Sequence, residues 1–291
     1  MPISLSRRKF LKKGIGTILS LIGIGSGGYI YSRYIEPRRL EVKHITVKHN
    51  KIPISFDQMN IVQFSDTHLG FQYTLDQLED HVNRINSLNP DIVFFTGDLM
   101  DEPNHFPYIK KIPPILNQIQ APFGKFAVYG NHDHGGYGTN IYMNTMKNSG
   151  FSVLRNEGTT IQQKDGSKIH IAGIDDAMLG TPNLTQALKS TPKDAFQILL
   201  SHAPDLADAA STYNVDFQIS GHSHGGQVQI PFFGALITPP YGKKYPEGEY
   251  HLNHNYPLYL YVNRGLGTTR LPLRFLSVPE ITVFTLKATD Y

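Results

Sequence analysis

Five short segments of this chain concentrate side chains that bind metal ions or move protons: Asp66-Thr67-His68, Gly97-Asp98, Gly130-Asn131-His132-Asp133, Ser201-His202 and Gly221-His222-Ser223-His224. Each one alone is ordinary turn chemistry, because Asp and Asn accept hydrogen bonds from nearby backbone and Gly supplies positive φ. Together they follow five apolar runs, and open α/β sheets place their ligands just past the C-terminal ends of strands. The chemistry such residues share is the holding of two divalent ions. Ions about 3.5 to 4 Å apart need a bridging carboxylate against their repulsion, with imidazole, amide or carboxylate ligands completing each site. Asp98 is the natural bridge. Asp-x-His and His-x-His put alternate side chains of an extended segment on one side, where two ligands converge. The chain holds 13 His, the residue type best suited to both ligation and proton transfer.

The elements that must position these loops follow from hydrophobic periodicity. Strands are expected over 42–48, 60–64, 92–96 and 125–129, then near 151–155, 159–162 and 168–174, and again over 196–200, 217–220, 258–262 and 281–286. Leu75, Leu78, Val82 and Ile85 carry the spacing of an amphipathic helix ending near Asn89-Pro90. The segment 107–119 is expected to be helical only from Pro113-Pro114 onward, since prolines begin helices and do not sit inside them. A helix over 139–148 closed by Gly150 and a short one after Pro204 complete the pattern. Strands alternating with helices predict an α/β protein with at least two sheets covered by helices.

The ordered series Asp-x-His, Gly-Asp, Gly-Asn-His-Asp, His, Gly-His-x-His resembles that of the calcineurin-like metallophosphoesterases, over roughly residues 60–225. The resemblance implies a four-layer type of β-sandwich, two mixed sheets flanked by helices. It implies that Asp66, His68 and His224 hold one metal, that Asn131, His202 and His222 hold the other, and that Asp98 lies between them. It implies that His132 is no ligand but faces the substrate and either protonates the leaving oxygen or stabilises the phosphorane-like transition state; the mechanism expected is in-line attack on phosphorus by a metal-bridging hydroxide, with His132 as the proton donor. With N and O ligands alone, Mn²⁺, Fe²⁺ and Zn²⁺ are all admissible, Mn²⁺ slightly favoured. The stretches 261–267, 271–275 and 279–281 are similar to those of a bacterial membrane-linked branch, some of whose members cleave the pyrophosphate of UDP-2,3-diacylglucosamine. A Ser/Thr protein phosphatase of the superfamily would carry an Arg soon after the second motif; here Leu99-Met100-Asp101-Glu102 follows. The function expected is therefore phosphodiester or pyrophosphate hydrolysis of a cell-envelope or lipid-linked substrate.

Composition narrows the field further. With no cysteine among 291 residues, disulfides, thiolate metal sites and cysteine nucleophiles are excluded. The net charge of +3 is misleading, because eight of the 27 Lys and Arg precede Leu40 while only Glu36 among the 24 acids does. The body is slightly acidic and has no basic run for neutralising phosphates, so nucleic acid is not an expected partner.

Residues 1–39 read as a targeting segment and linker, and 40–291 as the catalytic domain. Ser6-Arg7-Arg8-Lys9-Phe10-Leu11-Lys12 resembles a twin-arginine export signal, a pathway that moves folded, metal-loaded proteins. The uncharged stretch 14–32 would reach roughly 28 Å as a helix, enough to cross a bilayer, although six glycines dilute it. A retained anchor is expected, placing the protein on the outer face of the cytoplasmic membrane or in the cell envelope. Residues 33–39 read as a linker.

Two other functions compete. Gly221-His222-Ser223-His224-Gly225 satisfies G-x-S-x-G, so Ser223 could be a serine-hydrolase nucleophile, but the following 226–231 is unpromising for the helix an elbow requires. A non-catalytic metal-binding envelope protein is the second, which a complete ligand set with His132 argues against. Asp133 is expected to support the site from behind or to shape the turn. His134, His105, His251 and His254 are expected on loop surfaces, and Asp175-Asp176 in a solvated turn. Lys243, Lys244 and Arg264 are candidates for phosphate or headgroup contact.

Overall fold

The computed structural model describes residues 7–135, 139–192 and 194–289, with the side chains of the first helix described in part, from Lys12 onward. Ser6 and the side chains of Arg7, Arg8, Lys9, Phe10 and Leu11 lie outside the described residues, and with them most of the export string. The chain runs α1 (Arg7–Ile30), β1 (Glu41–His49), β2 (Asn60–Phe64), α2 (Leu75–Ser87), β3 (Ile92–Phe95), α3 (Ile112–Leu116), β4 (Lys125–Ala127), α4 (Asn131–His134), α5 (Thr139–Asn148) and β5 (Ser152–Val153). It continues β6 (Glu157–Gln162), β7 (Lys168–Gly173), α6 (Leu184–Leu188), β8 (Phe196–Leu200), α7 (Ala207–Ala210) and β9 (Phe217–Ser220). The last elements are β10 (Gln229–Ile230), β11 (Gly234–Ala235), β12 (Gly248–Asn253), β13 (Pro257–Val262) and β14 (Glu280–Ala288).

Two six-stranded mixed sheets form, ordered β1-β14-β2-β3-β4-β5 and β12-β13-β9-β8-β7-β6. Alternation along each strand explains the layers. In β3, Ile92 and Phe94 point between the sheets, where they meet Ile169, Ile198 and Phe217, while Val93 and Phe95 point outward to Leu78, Val82 and Ile85 of α2. The second sheet buries Ala172, Leu199 and Leu260 against Ala187 of α6 and Ala207 of α7. A strand covered on both faces is apolar throughout, which is why these segments read as continuous runs. The helix–sheet–sheet–helix order is the sandwich expected.

Local signals act as predicted in most places. Thr74 and Gln77 form a reciprocal capping box at the start of α2. Pro113 and Pro114 occupy the opening turn of α3. The expected strand at 151–155 shortens to two residues, and β12 supplies an edge that the turn-rich composition after residue 227 concealed.

The N-terminal expectations need correcting. Segment 14–32 is largely helical within α1, but among the described residues no helix is long and apolar enough to cross a membrane. The glycines at 14, 16, 23, 25, 27 and 28 add length without apolar surface. Residues 33–39, expected as a linker, are tied to the body at Arg33 and Glu36, while Tyr34 and Ile35 stay about half exposed. Arg274 N donates to Ser32 O at 2.9 Å, Arg33 bonds Gln72, and fully buried Glu36 accepts Ser277 N at 2.6 Å.

Candidate metal centre

Strand register brings the five loops together. β2 and β3 run parallel with Ile61 opposite Ile92, so the chain leaves both strands side by side. Asp66 N then donates to Gly97 O at 2.9 Å and His68 N to Asp98 O at 3.2 Å. On the other sheet, Gly221 N donates to His202 O at 3.1 Å. Buried Gln63 ties the sheets together beneath the loops, its Nε2 donating to Ser220 O at 2.9 Å and Thr96 Oγ1 at 2.8 Å.

The predicted ligands converge. His68 Nε2 and His224 Nε2 are 3.0 Å apart, with Asp66 Oδ1 3.4 Å from the latter. Asp98 Oδ2 lies 3.5 Å from His68 Nε2 and 3.3 Å from His202 Nε2, between the two groups. His202 Nε2 and His222 Nδ1 are 3.0 Å apart. Asn131 Oδ1 is buried and accepts no hydrogen bond. Asp66, His68 and His224, and likewise Asp98, His202 and His222, keep ligand-capable atoms within 4.8 Å of one another.

Hydrogen bonds on the far sides of the rings aim the near sides. His202 Nδ1 donates to Thr96 O at 2.6 Å and His222 Nε2 to Pro240 O at 2.8 Å. A carbonyl only accepts, so in the neutral rings the remaining nitrogens turn two lone pairs toward each other. Lone pairs 3.0 Å apart repel unless a cation or proton sits with them. The electrostatics agree. Burial opposes charge on His202, yet Asp98 and Asp66 push its pKa up to about 10, as happens where anionic side chains outnumber cations. Burial and His202 together push His222 down to about 3. Burial and the neighbouring Asp98 raise the Asp66 carboxyl. An amide oxygen without a partner, facing imidazole lone pairs and a carboxylate between two clusters form a donor set that fits two divalent ions.

The backbone is strained at this place. Asp66, His68, Asp98, His222 and His224 all have positive φ, between 46° and 72°. Such values are uncommon outside glycine and concentrate at functional sites. Two glycines give the ligands room. A Cβ on Gly130 would lie 2.1 Å from Asp98 Oδ1, and one on Gly97, at φ +97°, 2.6 Å from His202 Nδ1. Asp133 supports the loops from behind as expected, accepting N–H from Asp98, Leu99 and Gly130 at 2.8 to 3.0 Å. Burial and Asp98 push its carboxyl up to about 8 against the pull of those donors.

His132 is placed differently. It sits at the wall of a cavity of about 170 Å³ that Asp98, Asn131, His222 and His224 also line. Its Nδ1 bonds Asp101 O at 2.7 Å, its ring meets His68 edge-on, and one of its ring nitrogens lies within 4.8 Å of ligand-capable atoms of His68 and Asp98. Burial opposes its charge, but Asp98 and the Asp101 carbonyl prevail and raise its pKa above the ordinary value.

Sequence reasoning missed two residues. Asp101 holds His68 Nδ1 at 3.1 Å through its carboxylate and His132 through its carbonyl, orienting both rings. Arg274 is fully buried, with Nη2 3.3 Å from His224 Nδ1 and further bonds to the carbonyls of Gly267 and Ser277. A carboxylate three residues past Asp98 was a readable signal for the first; an Arg in an apolar turn gave none for the second.

Several lesser expectations change. Asp175 and Asp176 are buried, not solvated, and Asp175 binds His134 Nε2 at 2.6 Å and Arg155 Nε at 3.0 Å. His134 is therefore an interior partner and not a loop-surface residue. Arg264 is committed to an ion-pair network with Glu280 and Glu41, and Lys244 to Asp208. Ser223 is buried, donates to Pro246 O, and precedes a single 3₁₀ turn at His224–Gly226, so no nucleophile elbow exists.

Residues 59–226 match the calcineurin-like phosphoesterase family. The chain is 49% identical to an uncharacterized metallophosphoesterase of Bacillus subtilis, YkuE, over 98% of this chain and 99% of that one. It belongs to the calcineurin-like phosphoesterase family. The family and the paired His/Asp groups make this a phosphoester hydrolase and point to a dinuclear divalent-metal site. It is also 29% identical to a UDP-2,3-diacylglucosamine pyrophosphatase of Chlamydia muridarum, LpxG, covering 92% of this chain and 97% of that protein. Among solved structures, one from Thermus thermophilus aligns with 72% of this chain and 90% of its own, at 15% identity and a TM-score of 0.45.

Proposed function

We propose that this metallophosphoesterase hydrolyses a phosphodiester or pyrophosphate in a lipid-linked cell-envelope substrate, using two metals, Mn²⁺ favoured over Zn²⁺ or Fe²⁺. Asp66, His68 and His224 would hold one ion, Asn131, His202 and His222 the other, with Asp98 bridging. Asp98 Oδ2, set between His68 Nε2 and His202 Nε2, carries this reading. When bound, the ions supply Lewis acidity and an acidified water. The chain supplies the rest. His132, held at Nδ1 by Asp101 O, would give a proton from Nε2 to the leaving oxygen. Asp101 fixes the His68 and His132 rings together, so ligand and acid share one support. Met178, Leu236, Ile237 and Leu271 line the cavity beside the polar floor, a wall suited to an apolar substrate portion. The resemblance to the pyrophosphatase LpxG supports that substrate class.

We further read 40–291 as the catalytic domain and the chain as a member of the membrane-linked branch. Residues 1–39 then serve as a twin-arginine-type export segment that delivers the folded domain to the outer face of the cytoplasmic membrane or the envelope. The test is hydrolysis of bis-p-nitrophenyl phosphate by the full chain with Mn²⁺, with a chelator, and in Asp98→Asn. Turnover that needs metal and Asp98 is expected. Metal binding without turnover of this diester or of a UDP-linked lipid pyrophosphate would instead mark a non-catalytic metal protein.

A further inference from the structure

The hairpin β10–β11 stands at the rim of the cavity and exposes apolar surface that the reaction does not use. Phe232 and Phe233 at its tip are 106% and 87% exposed, and Leu236 and Ile237 just beyond are 57% and 65% exposed. The tip turn closes with Phe233 N donating to Ile230 O at 3.0 Å, with Pro231 and Phe232 as its central residues. Phe232 has φ +70°, a conformation that this turn position normally reserves for Gly or Asn. A bulky aromatic held in left-handed backbone and fully in solvent is a cost to folding on both counts.

We propose that this hairpin inserts into the surface of a phospholipid bilayer and presents the cavity mouth to the lipid; this rests on the lipid-linked substrate reading above. Three observations select a bilayer over another protein. A convex tip of two Phe rings offers about 150–250 Å² each, well short of the roughly 800 Å² a stable protein partner covers. The apolar surface is continuous with the reaction site, because Leu236, Ile237 and Leu271 line the cavity that also exposes Asp98 and His132. Exposed Arg270 sits at the same mouth, a charge suited to lipid phosphate. The hairpin is also joined to the N-terminal helix. Gln229 N donates to Phe275 O at 2.8 Å, and the Phe275 ring packs edge-on against Tyr31 just past the end of α1. The segment that follows α1 and the strand leading to the aromatic tip thus share one support.

The chain contains no tryptophan, so Phe233→Trp in the full-length protein places a single reporter at the tip. Phosphatidylcholine vesicles with and without phosphatidylglycerol, and the same vesicles carrying brominated acyl chains, are the partners to add. A blue shift of indole emission and quenching by bromolipid are expected, with vesicle binding weakened about tenfold or more in Phe232→Ser/Phe233→Ser. Emission that stays that of exposed indole while the protein sediments with vesicles would overturn the proposal, assigning binding to the N-terminal helix alone. A blue shift that grows with protein concentration before any lipid is added would also overturn it, showing a second copy as the occupant. The readout needs no turnover, so a failure of the hydrolase reading shows separately in the diester assay.

Discussion

The floor of the cavity and its rim lie within a few residues of each other in sequence and differ in almost every physical respect. His222 and His224 on the floor are 4% and 3% exposed, while Phe232 and Phe233, eight residues on, stand fully in solvent. Both regions contain left-handed non-glycine backbone, yet on the floor it aims ligands and is clamped by Gln63, Asp133 and Arg274. Among the described residues Phe232 and Phe233 at the tip stand fully in solvent. Gly234 there would meet no atom within 4 Å if given a Cβ, whereas Gly97 and Gly130 would collide with the His202 and Asp98 side chains. The floor is over-determined, as chemistry at fixed distances requires, and the rim is left free to meet something outside the chain.

The sharpest way to break this contrast is Asp98→Asn. If Asp98 bridges two ions as proposed, removing its charge should cost several kcal/mol of transition-state stabilisation, more than about 10³-fold in turnover of bis-p-nitrophenyl phosphate. Next comes His132→Ala, expected to keep bound metal and lose about 10²- to 10³-fold in turnover. Diesters with poorer leaving groups than p-nitrophenolate should suffer most, and a steady-state comparison of two such substrates checks it. By contrast, Phe232→Ser/Phe233→Ser should leave turnover of the soluble diester unchanged.

Stability separates the regions further. Gly97→Ala should cost about 2–4 kcal/mol and depress the melting temperature by several degrees, combining left-handed strain with a clash at His202. Gly234→Ala should cost only about 1 kcal/mol, since strain alone applies. A similarly modest effect is expected at the buried N-terminal strap. Glu36→Gln keeps an acceptor for Ser277 N but removes the charge near Arg274, and should cost about 1–2 kcal/mol in thermal melts while leaving the helix α1 intact.

The same contrast explains what could be read from the sequence. Asp66, His68, Asp98, Asn131, His132, His202, His222 and His224 were legible because each follows a doubly buried strand, and the parallel register does the rest. The two sheets were legible for the same reason. Asp175 and Asp176 misled because an acidic pair after a strand looks solvated until His134, 41 positions before Asp175, is seen folded over it; that pairing is tertiary and leaves no local trace. Glu36, alone in a basic stretch, looked like linker, yet it is the buried acceptor for Ser277 N. Stretch 14–32 read as a membrane span because length was easier to count than the apolar surface its glycines fail to supply. The exposure of the Phe232–Phe233 tip leaves no mark in the sequence, where two aromatics in a turn-rich stretch look like core.

Metal content of the purified full chain tests the central claim most directly, measured by elemental analysis on wild type, Asp98→Asn and His132→Ala after equal exposure to Mn²⁺. About two ions per chain should be found in wild type and in His132→Ala, with a clear deficit in Asp98→Asn. An equal count in wild type and Asp98→Asn, or an equal loss in both variants, would contradict the division between bridging ligand and proton donor.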